Sequence, residues 1–526
     1  YALEVASPHE APQRPWLAQL GFAARRALKV VGITFISSIV LVALLGWPQR
    51  LIDSEHFKPS LMSVLFLIGL VLVVLEEHVG VNKAAIMLMV SAAMWTFLSV
   101  GYHPYESLKG HAKLEHELNH GLQDVGAIML FLLPAMGMVE SIDHFDGFAV
   151  ITSTIVRVTK QRREMTMPIL CVLCFFLSSI VDNLSATIVC LKLLRHTVGH
   201  DRHLRHTIGG LLVISANAGG TWSPIGDVTT TMLWMADKIS VKSTMSWLFL
   251  PAFVVTGLPL AGLWWEASRA VRNSADAEDS FIESGGTEES PPSDITAAKV
   301  VVLVLGFCCM MLVPLLKMCT GLPPYLGMLL ALGILWYVTD TLAFQNLAAM
   351  APEERVRAAL STPRTPALLC PHKPKERTSV VDALHKVDLA GLLFFAGVLL
   401  AVGALDSSGV LIWYSEALMK LCGHSPVMIC SLLGLSSAVV DNVPLVQAAI
   451  SMFGDSTPID DPLWQLVALA AGTGGSILSV GSIAGVTFMS IEGVGYLWYC
   501  RRISVWATIG FAAGIGVYQL ERLVFT

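Results

Sequence analysis

Two copies of one short polar pattern lie in otherwise apolar sequence. Ser178-Ser179-Ile180-Val181-Asp182-Asn183 stands in the first half and Ser436-Ser437-Ala438-Val439-Val440-Asp441-Asn442 in the second. Each precedes a glycine-rich interruption of a further apolar stretch. The first is Asn217-Ala218-Gly219-Gly220-Thr221, running on to Pro224-Ile225-Gly226-Asp227. The second is Gly472-Thr473-Gly474-Gly475-Ser476, running on to Val480-Gly481-Ser482. A carboxylate placed in hydrocarbon costs at least about 2.5–3.5 kcal/mol. Two of them, placed alike in two halves, point to a charged site made by an internal duplication. Interrupted hydrophobic segments at corresponding places in two halves are the sequence mark of a transporter's binding site.

The chemistry of these residues suits a small hard cation. Where an apolar helix stops and another begins, carbonyls end one arm and amide groups open the next. Adding the Asp182 or Asp441 carboxylate and the Asn183 or Asn442 amide oxygen gives a ring of hard oxygens fit for Na⁺ or Li⁺. Ser179, Ser437, Thr221, Thr473 and Ser476 offer hydroxyls, and the glycine pairs are expected to unwind and offer carbonyls. Asn217 and Asp227 add an amide and a third carboxyl, with Ser482 in the place that matches Asp227. A carboxyl that takes either a cation or a proton is a minimal exchanger, since each ligand expels the other. A second role is open to the same residues: Asp and Asn are ordinary helix N-caps. The matched duplication is what favours the site. Glu140, Asp143 and Glu492 read as solvated residues near span ends. His196, His200, His203 and His206 read as a solvated basic loop, with pH sensing as the other role open to them.

The elements that must hold these residues are membrane helices. Of 526 residues, 54% are hydrophobic and 14% charged, where a soluble chain is nearer a quarter charged. Mean hydropathy is +0.65. Apolar runs of about 18–20 residues recur, which excludes a soluble fold and a β-barrel. The ten cysteines are scattered; Cys171 and Cys174 read as small packing residues rather than a metal or redox pair. No cofactor is expected.

A basic arm with Arg14, Arg25, Arg26 and Lys29 leads into an apolar segment over 30–47, read as a retained spanning helix rather than a signal-peptide core. The expected division is an arm with an extra helix over 1–60, a first repeat over 61–265, a polar linker over 266–297, a second repeat over 298–520 with a polar insert at 340–386, and a tail over 521–526. In the first repeat, spans are expected over 61–75, 84–100, 122–139 and 247–265, with an amphipathic piece over 148–158. Residues 167–194 are interrupted at Asp182-Asn183, and 208–234 are broken at the glycine pair. The second repeat has the same order: spans over 300–316, 324–338, 389–404 and 505–520, an amphipathic piece over 410–421, an interruption of 426–450 at Asp441-Asn442, and a break of 463–492 at Gly474-Gly475.

Arms of about 12–15 residues are too short to span, so each interrupted segment reads as a re-entrant hairpin. Each half then crosses an odd number of times, and the halves must have opposite orientation. The fold class is an all-α polytopic membrane protein of two inverted-topology repeats, each with a re-entrant hairpin and a broken transmembrane helix, about 11 crossings in all. With the N-terminus cytoplasmic, Arg157, Lys160, Arg162, Arg163, Arg195, Arg202, Arg205, the 340–386 insert, Arg501 and Arg502 all fall inside, as the positive-inside rule requires.

The paired Asp-Asn motifs, and the run from Asn217 through Ser223-Pro224-Ile225-Gly226 to Asp227, resemble NhaD-type sodium/proton antiporters of the ion transporter superfamily over roughly residues 61–520. The resemblance implies a scaffold domain that dimerises, a transport domain holding both hairpins, and exchange of Na⁺ or Li⁺ for H⁺ by alternating access. Carboxylate transporters of that superfamily carry Ser-Asn-Thr at the hairpin tips. Asp182-Asn183 and Asp441-Asn442 depart from this and would repel an anion. A carboxylate or oxyanion (arsenite-like) carrier is the runner-up. An intramembrane aspartyl protease is disfavoured, because Pro224 stands where its Gly-x-Gly-Asp signature needs glycine. The expected partners are Na⁺ or Li⁺, protons, the lipid bilayer and a second copy of the chain, with no nucleic acid. The expected location is the cell inner (plasma) membrane, multi-pass, with the plastid envelope also open.

Overall fold

The computed structural model describes residues 57–74, 81–100, 107–159, 165–198, 201–275, 297–349, 380–423, 425–438, 442–454, 457–479 and 481–525. The expected helix over 30–47, Asp441, His200 and most of the 340–386 insert lie outside the described residues. Every regular element among those described is a helix, the structure that lets a backbone in hydrocarbon satisfy its own polar groups.

The chain opens with α1 (Phe57–Val74), α2 (Lys83–Val100), α3 (Ser107–His144) and the amphipathic α4 (Phe148–Thr159). The first Asp-Asn motif separates α5 (Thr166–Ser178) from α6 (Asn183–Val198), and the first glycine-rich stretch separates α7 (Arg202–Thr221) from α8 (Val228–Met235). The long α9 (Val241–Ala275) closes this half. The second half runs through α10 (Ala297–Thr320), α11 (Pro324–Ala349), the short α12 (Val380–Leu384), α13 (Leu389–Ser407) and α14 (Val410–Cys422). Its Asp-Asn motif lies between α15 (Pro426–Ser437) and α16 (Asn442–Phe453); its broken stretch is α17 (Pro462–Leu478) and α18 (Ile483–Glu492). The last elements are α19 (Tyr496–Arg502) and α20 (Ser504–Phe525). Among the described residues, five helical stretches are long and apolar enough to cross a bilayer: Leu114–His144, Val241–Glu266, Ala297–Thr320, Leu389–Ser407 and Pro462–Glu492. Counting two bent pairs as single spans makes seven.

Several boundaries differ from the sequence reading, each for a physical reason. α3 begins at Ser107, well before the expected 122, and α9 runs nine residues beyond Glu266, into the expected linker. Both extensions are polar but rich in Ala, Glu, Lys, Leu and Arg, which favour helix whatever their polarity. α11 likewise runs past 338, to Ala349. The broken stretches do not unwind at their glycine pairs. α7 continues through Gly219-Gly220 to Thr221, and α17 through Gly474-Gly475 to Leu478. These glycines serve close approach instead. A Cβ on Gly219 would lie 2.2 Å from the Phe175 carbonyl oxygen, and one on Gly474 would lie 2.0 Å from that of Gly434. α5 and α15 thus rest directly on the backbones of α7 and α17, the small-residue packing that membrane helices use.

The chain forms two compact units, and they do not follow the two sequence halves. One comprises the described residues up to 122 together with 393–413. Within it, Gly69 of α1 meets Val90 of α2, and Trp95 donates its indole N–H to the Leu400 carbonyl at 2.9 Å. The other unit comprises the described residues within 123–392 and 414–526. It holds both Asp-Asn helix pairs and both broken stretches. α7 packs on α17 at its centre, and α9 packs on α20, where Gly510 and Gly514 fit against Val255.

Candidate functional site

The two broken stretches are built alike. Residues 216, 219, 220, 226 and 227 correspond at one constant offset to 471, 474, 475, 481 and 482. The Ser178 hydroxyl donates to the Ala216 carbonyl at 2.6 Å, and the Ser437 hydroxyl to the Ala471 carbonyl at 2.8 Å. Gly220 closes on Gly226 O and Asp227 Cβ; Gly475 closes on Gly481 O and Ser482 Cβ. Each helix pair is therefore pinned to its broken stretch by one hydroxyl and one backbone-to-backbone contact. Trp222, which opens the first break, stacks on Phe175 at 6.1 Å and stands edge-on to Phe249 at 5.0 Å.

At the meeting point lies Asp227, 3% exposed. It is the N-cap residue of α8, with extended backbone. Its Oδ1 accepts from the Asn183 amide at 3.3 Å, and its Oδ2 from the Thr229 hydroxyl at 2.9 Å and the Asn442 amide at 3.4 Å. Asn183 also donates to Asn217 Oδ1 at 3.2 Å. The Asn217 side chain in turn pairs with the Ser482 hydroxyl at 2.9 and 3.0 Å. One carboxylate thus receives an amide from each Asp-Asn motif, and all six side chains are buried. Asn183 and Asn442 are the first residues of α6 and α16, while Asp227 and Ser482 stand at the N-cap positions of α8 and α18. Four helix beginnings therefore converge here. The remaining wall is Gly472 of α17, which faces Thr221 and Asp227.

Of the residues singled out from sequence, Asn183, Asn217, Asp227 and Asn442 come together. Asp182 is half-buried and caps α6: its Oδ1 accepts from the Ser185 N–H at 3.0 Å and its Oδ2 from the Ser185 hydroxyl at 2.7 Å. Asp441 lies outside the described residues. The hydroxyls of Ser179, Thr221, Thr473 and Ser476 donate to carbonyls of their own helices. Thr229, Ser482 and Ser178 complete the arrangement. Counting back four residues from each Asp of the two motifs reaches Ser178 and Ser437, the signal that pairs them. Glu492 is not the solvated residue its place near a span end suggested. Its side chain is 0% exposed, and it pairs with Arg195 at 2.7 Å and Arg205 at 2.5 Å.

Carboxylate, amide and hydroxyl groups thus converge in the buried interior of this unit. Residues 27–472 match the citrate transporter family. The chain belongs to this family. It is a transporter and not an enzyme, and a multi-pass membrane protein. Several relatives are similar over most of its length. It is 38% identical over 466 residues to sodium/proton antiporter 1 of Arabidopsis thaliana, covering 87% of this chain and 71% of that protein. It is also 38% identical to sodium/proton antiporter 2 of the same plant, over 87% of this chain and 98% of that one. The Na(+)/H(+) antiporter NhaD of Alkalimonas amylolytica is 30% identical over 86% of this chain and 89% of its own length. The resemblance to NhaD-type antiporters drawn from the Asp-Asn motifs is thereby borne out. Asp227 lies where two asparagine amides and the Thr229 hydroxyl donate to its carboxylate.

Proposed function

We propose that this chain exchanges Na⁺ or Li⁺ for H⁺ across a membrane. The observation that carries the reading is the convergence of Asn183 and Asn442 on the Asp227 carboxylate. An ionised carboxylate only accepts hydrogen bonds, whereas an asparagine amide presents either an N–H donor or an oxygen. The asparagines can thus satisfy a bare Asp227 with their N–H groups and turn their oxygens toward a carboxylate that holds a cation or a proton. Cation and proton share this carboxyl and displace each other. Asp182 and Asp441 lie one residue before the two asparagines. The Asp182 carboxylate supplies further negative charge at the approach to the site, Asp441 holds the matching place in the sequence, and Ser179, Ser437, Thr221, Thr473 and Ser476 lie in the segments around it.

The matched geometry of the two broken stretches supports an origin in inverted repeats. On this reading the helix pairs α5–α6 and α15–α16 are re-entrant hairpins, and α7–α8 and α17–α18 are broken spans. The hairpins open to opposite sides, the first to the cytoplasm, and alternating access moves the site between them. Dimerisation through a scaffold domain completes the arrangement, with about 11 crossings in each copy.

The relatives' names support Na⁺ and H⁺ as cargo. The test is proton movement in everted vesicles, followed with a proton-sensitive dye, on addition of Na⁺, Li⁺, K⁺ or citrate. Dequenching with Na⁺ or Li⁺, lost in Asp227→Asn, is expected. Citrate uptake without a response to any cation would overturn the proposal in favour of a carboxylate carrier.

A further inference from the structure

Two pairs of neighbouring helices reach away from the site within the same unit. In the first, α6 starts at Asn183 and α18 starts behind Ser482, and the two pack side by side. Their near ends are joined through Asn217. At their far ends, Glu492, the last residue of α18, meets Arg195 in the last turns of α6. The distance between the two junctions is about 18 Å along α6. Arg195 also donates to the Ile491 carbonyl, one of the carbonyls left unpaired where α18 ends. Arg205, from the first turn of α7, closes on the other carboxylate oxygen of Glu492. In the second pair, α8 starts behind Asp227 and α16 starts at Asn442. There the far junction is Lys238, which donates to the Gly454 carbonyl at 2.7 Å, backed by Asp460 accepting from the Ser240 N–H at 2.7 Å. Each pair takes one helix from each half of the sequence. Each is tied at the site and tied again at its far end.

We propose that Glu492 is a positioning residue: it clamps the far ends of α6, α7 and α18 together and so holds Asn183, Asn217 and Ser482 in register around Asp227. The clamp stays closed throughout transport. Its carboxylate is fully buried and receives two guanidinium groups, so opening it would strand a buried charge. The second junction, made of a lysine on a carbonyl, a carboxylate on a main-chain N–H and a main-chain bond, contains no such buried pair among the described residues. The inference rests on the reading of Asp227 as the cation carboxyl, since register there is what the clamp sets.

Three measurements test it in the full-length protein. In Glu492→Gln, apparent KM for Na⁺ is expected to rise about tenfold, with the maximal rate within about threefold of wild type. An unchanged KM overturns the clamp. In the double variant Arg195→Cys, Glu492→Cys, made with Cys308, Cys319, Cys370 and Cys500 replaced by serine, a short membrane-permeant bifunctional thiol reagent is expected to bring KM back. If bridging instead stops transport that the unbridged protein supports, the junction opens in each cycle and the proposal falls. Amide hydrogen exchange in detergent needs no transport. Glu492→Gln is expected to speed exchange at residues 183–187 and 482–486, the near ends of the two helices. Unchanged exchange there counts against the clamp whatever the cargo is. A wild-type protein that ignores Na⁺ but shows this exchange pattern counts only against the cation reading.

Discussion

Gly472 of α17 stands against Asp227: a Cβ at this glycine would lie 3.4 Å from the carboxylate Oδ2 and 2.4 Å from Thr221 Cγ2. The second half contributes bare backbone where the first contributes Asn217. Thr221 is β-branched and has little freedom to turn away. Gly472→Ala is therefore expected to push the Thr221 end of α7 off the site and to lower Na⁺-driven proton movement at least tenfold, about 1.4 kcal/mol. Size-exclusion profiles of the variant should match wild type. Normal transport in a folded Gly472→Ala protein would show that α17 does not line the site.

Asp182 caps α6, which makes it possible to separate its charge from its structural role. Asn and Ser cap helices about as well as Asp. Asp182→Asn and Asp182→Ser should melt within a few degrees of wild type, and both are expected to lose most exchange if the carboxylate attends the ion. Asp441→Asn should behave alike. Full exchange in Asp182→Asn would leave Asp182 as a cap alone.

Competition between Na⁺ and H⁺ for one carboxyl fixes the sign of the pH dependence. As pH falls, a larger fraction of the carboxyl is protonated, so apparent KM for Na⁺ must rise. Below the carboxyl's pKa the rise is about tenfold per pH unit for one competing proton. Maximal rate should hold over the range where KM first climbs. The check is KM against pH in everted vesicles; a flat KM where activity is lost would move the pH response elsewhere, to His203 and His206 first.

Gly219 and Gly474 make the packing of α5 and α15 possible. Overpacking a tight contact costs about 1–3 kcal/mol, and here the obstacle is a main-chain carbonyl that cannot swing aside. Gly219→Ala and Gly474→Ala are expected to lower the melting temperature by several degrees and to reduce folded yield. Both should do so with or without Na⁺. Wild-type stability in either variant would mean that α5 or α15 does not rest where described.

Much of this was legible in sequence because apolar runs and their interruptions are long-range signals. The Asp-Asn motifs separated α5 from α6 as expected and α15 ends before the second one. Asn217, Asp227 and the place of Ser482 were visible from the run of residues alone. The position of the breaks was not. A glycine pair signals either unwinding or close approach, and only the carbonyls of Phe175 and Gly434 decide for the latter. The burial of Glu492 was hidden because its partners lie nearly 300 residues away. The polar ends of α3 and α9 carry no apolar signal, and helix propensity alone extends them.

Helices both start and stop around Asp227. α6, α8, α16 and α18 begin there, while α5, α7, α15 and α17 end close by, their last turns tied to it through Ser178, Ser437 and the glycine contacts. Each beginning carries a partial positive charge and each ending a partial negative one, about half an elementary charge apiece. Four of each leave the main chain nearly neutral in sum, a cradle indifferent to the sign of what it holds. On the proposed reading, selectivity by sign then belongs to a few side chains, with Asp227 foremost. One architecture can accordingly serve a family named for an anion while its members here carry names of cation antiporters, and a change of cargo needs new side chains at the helix ends rather than a new fold.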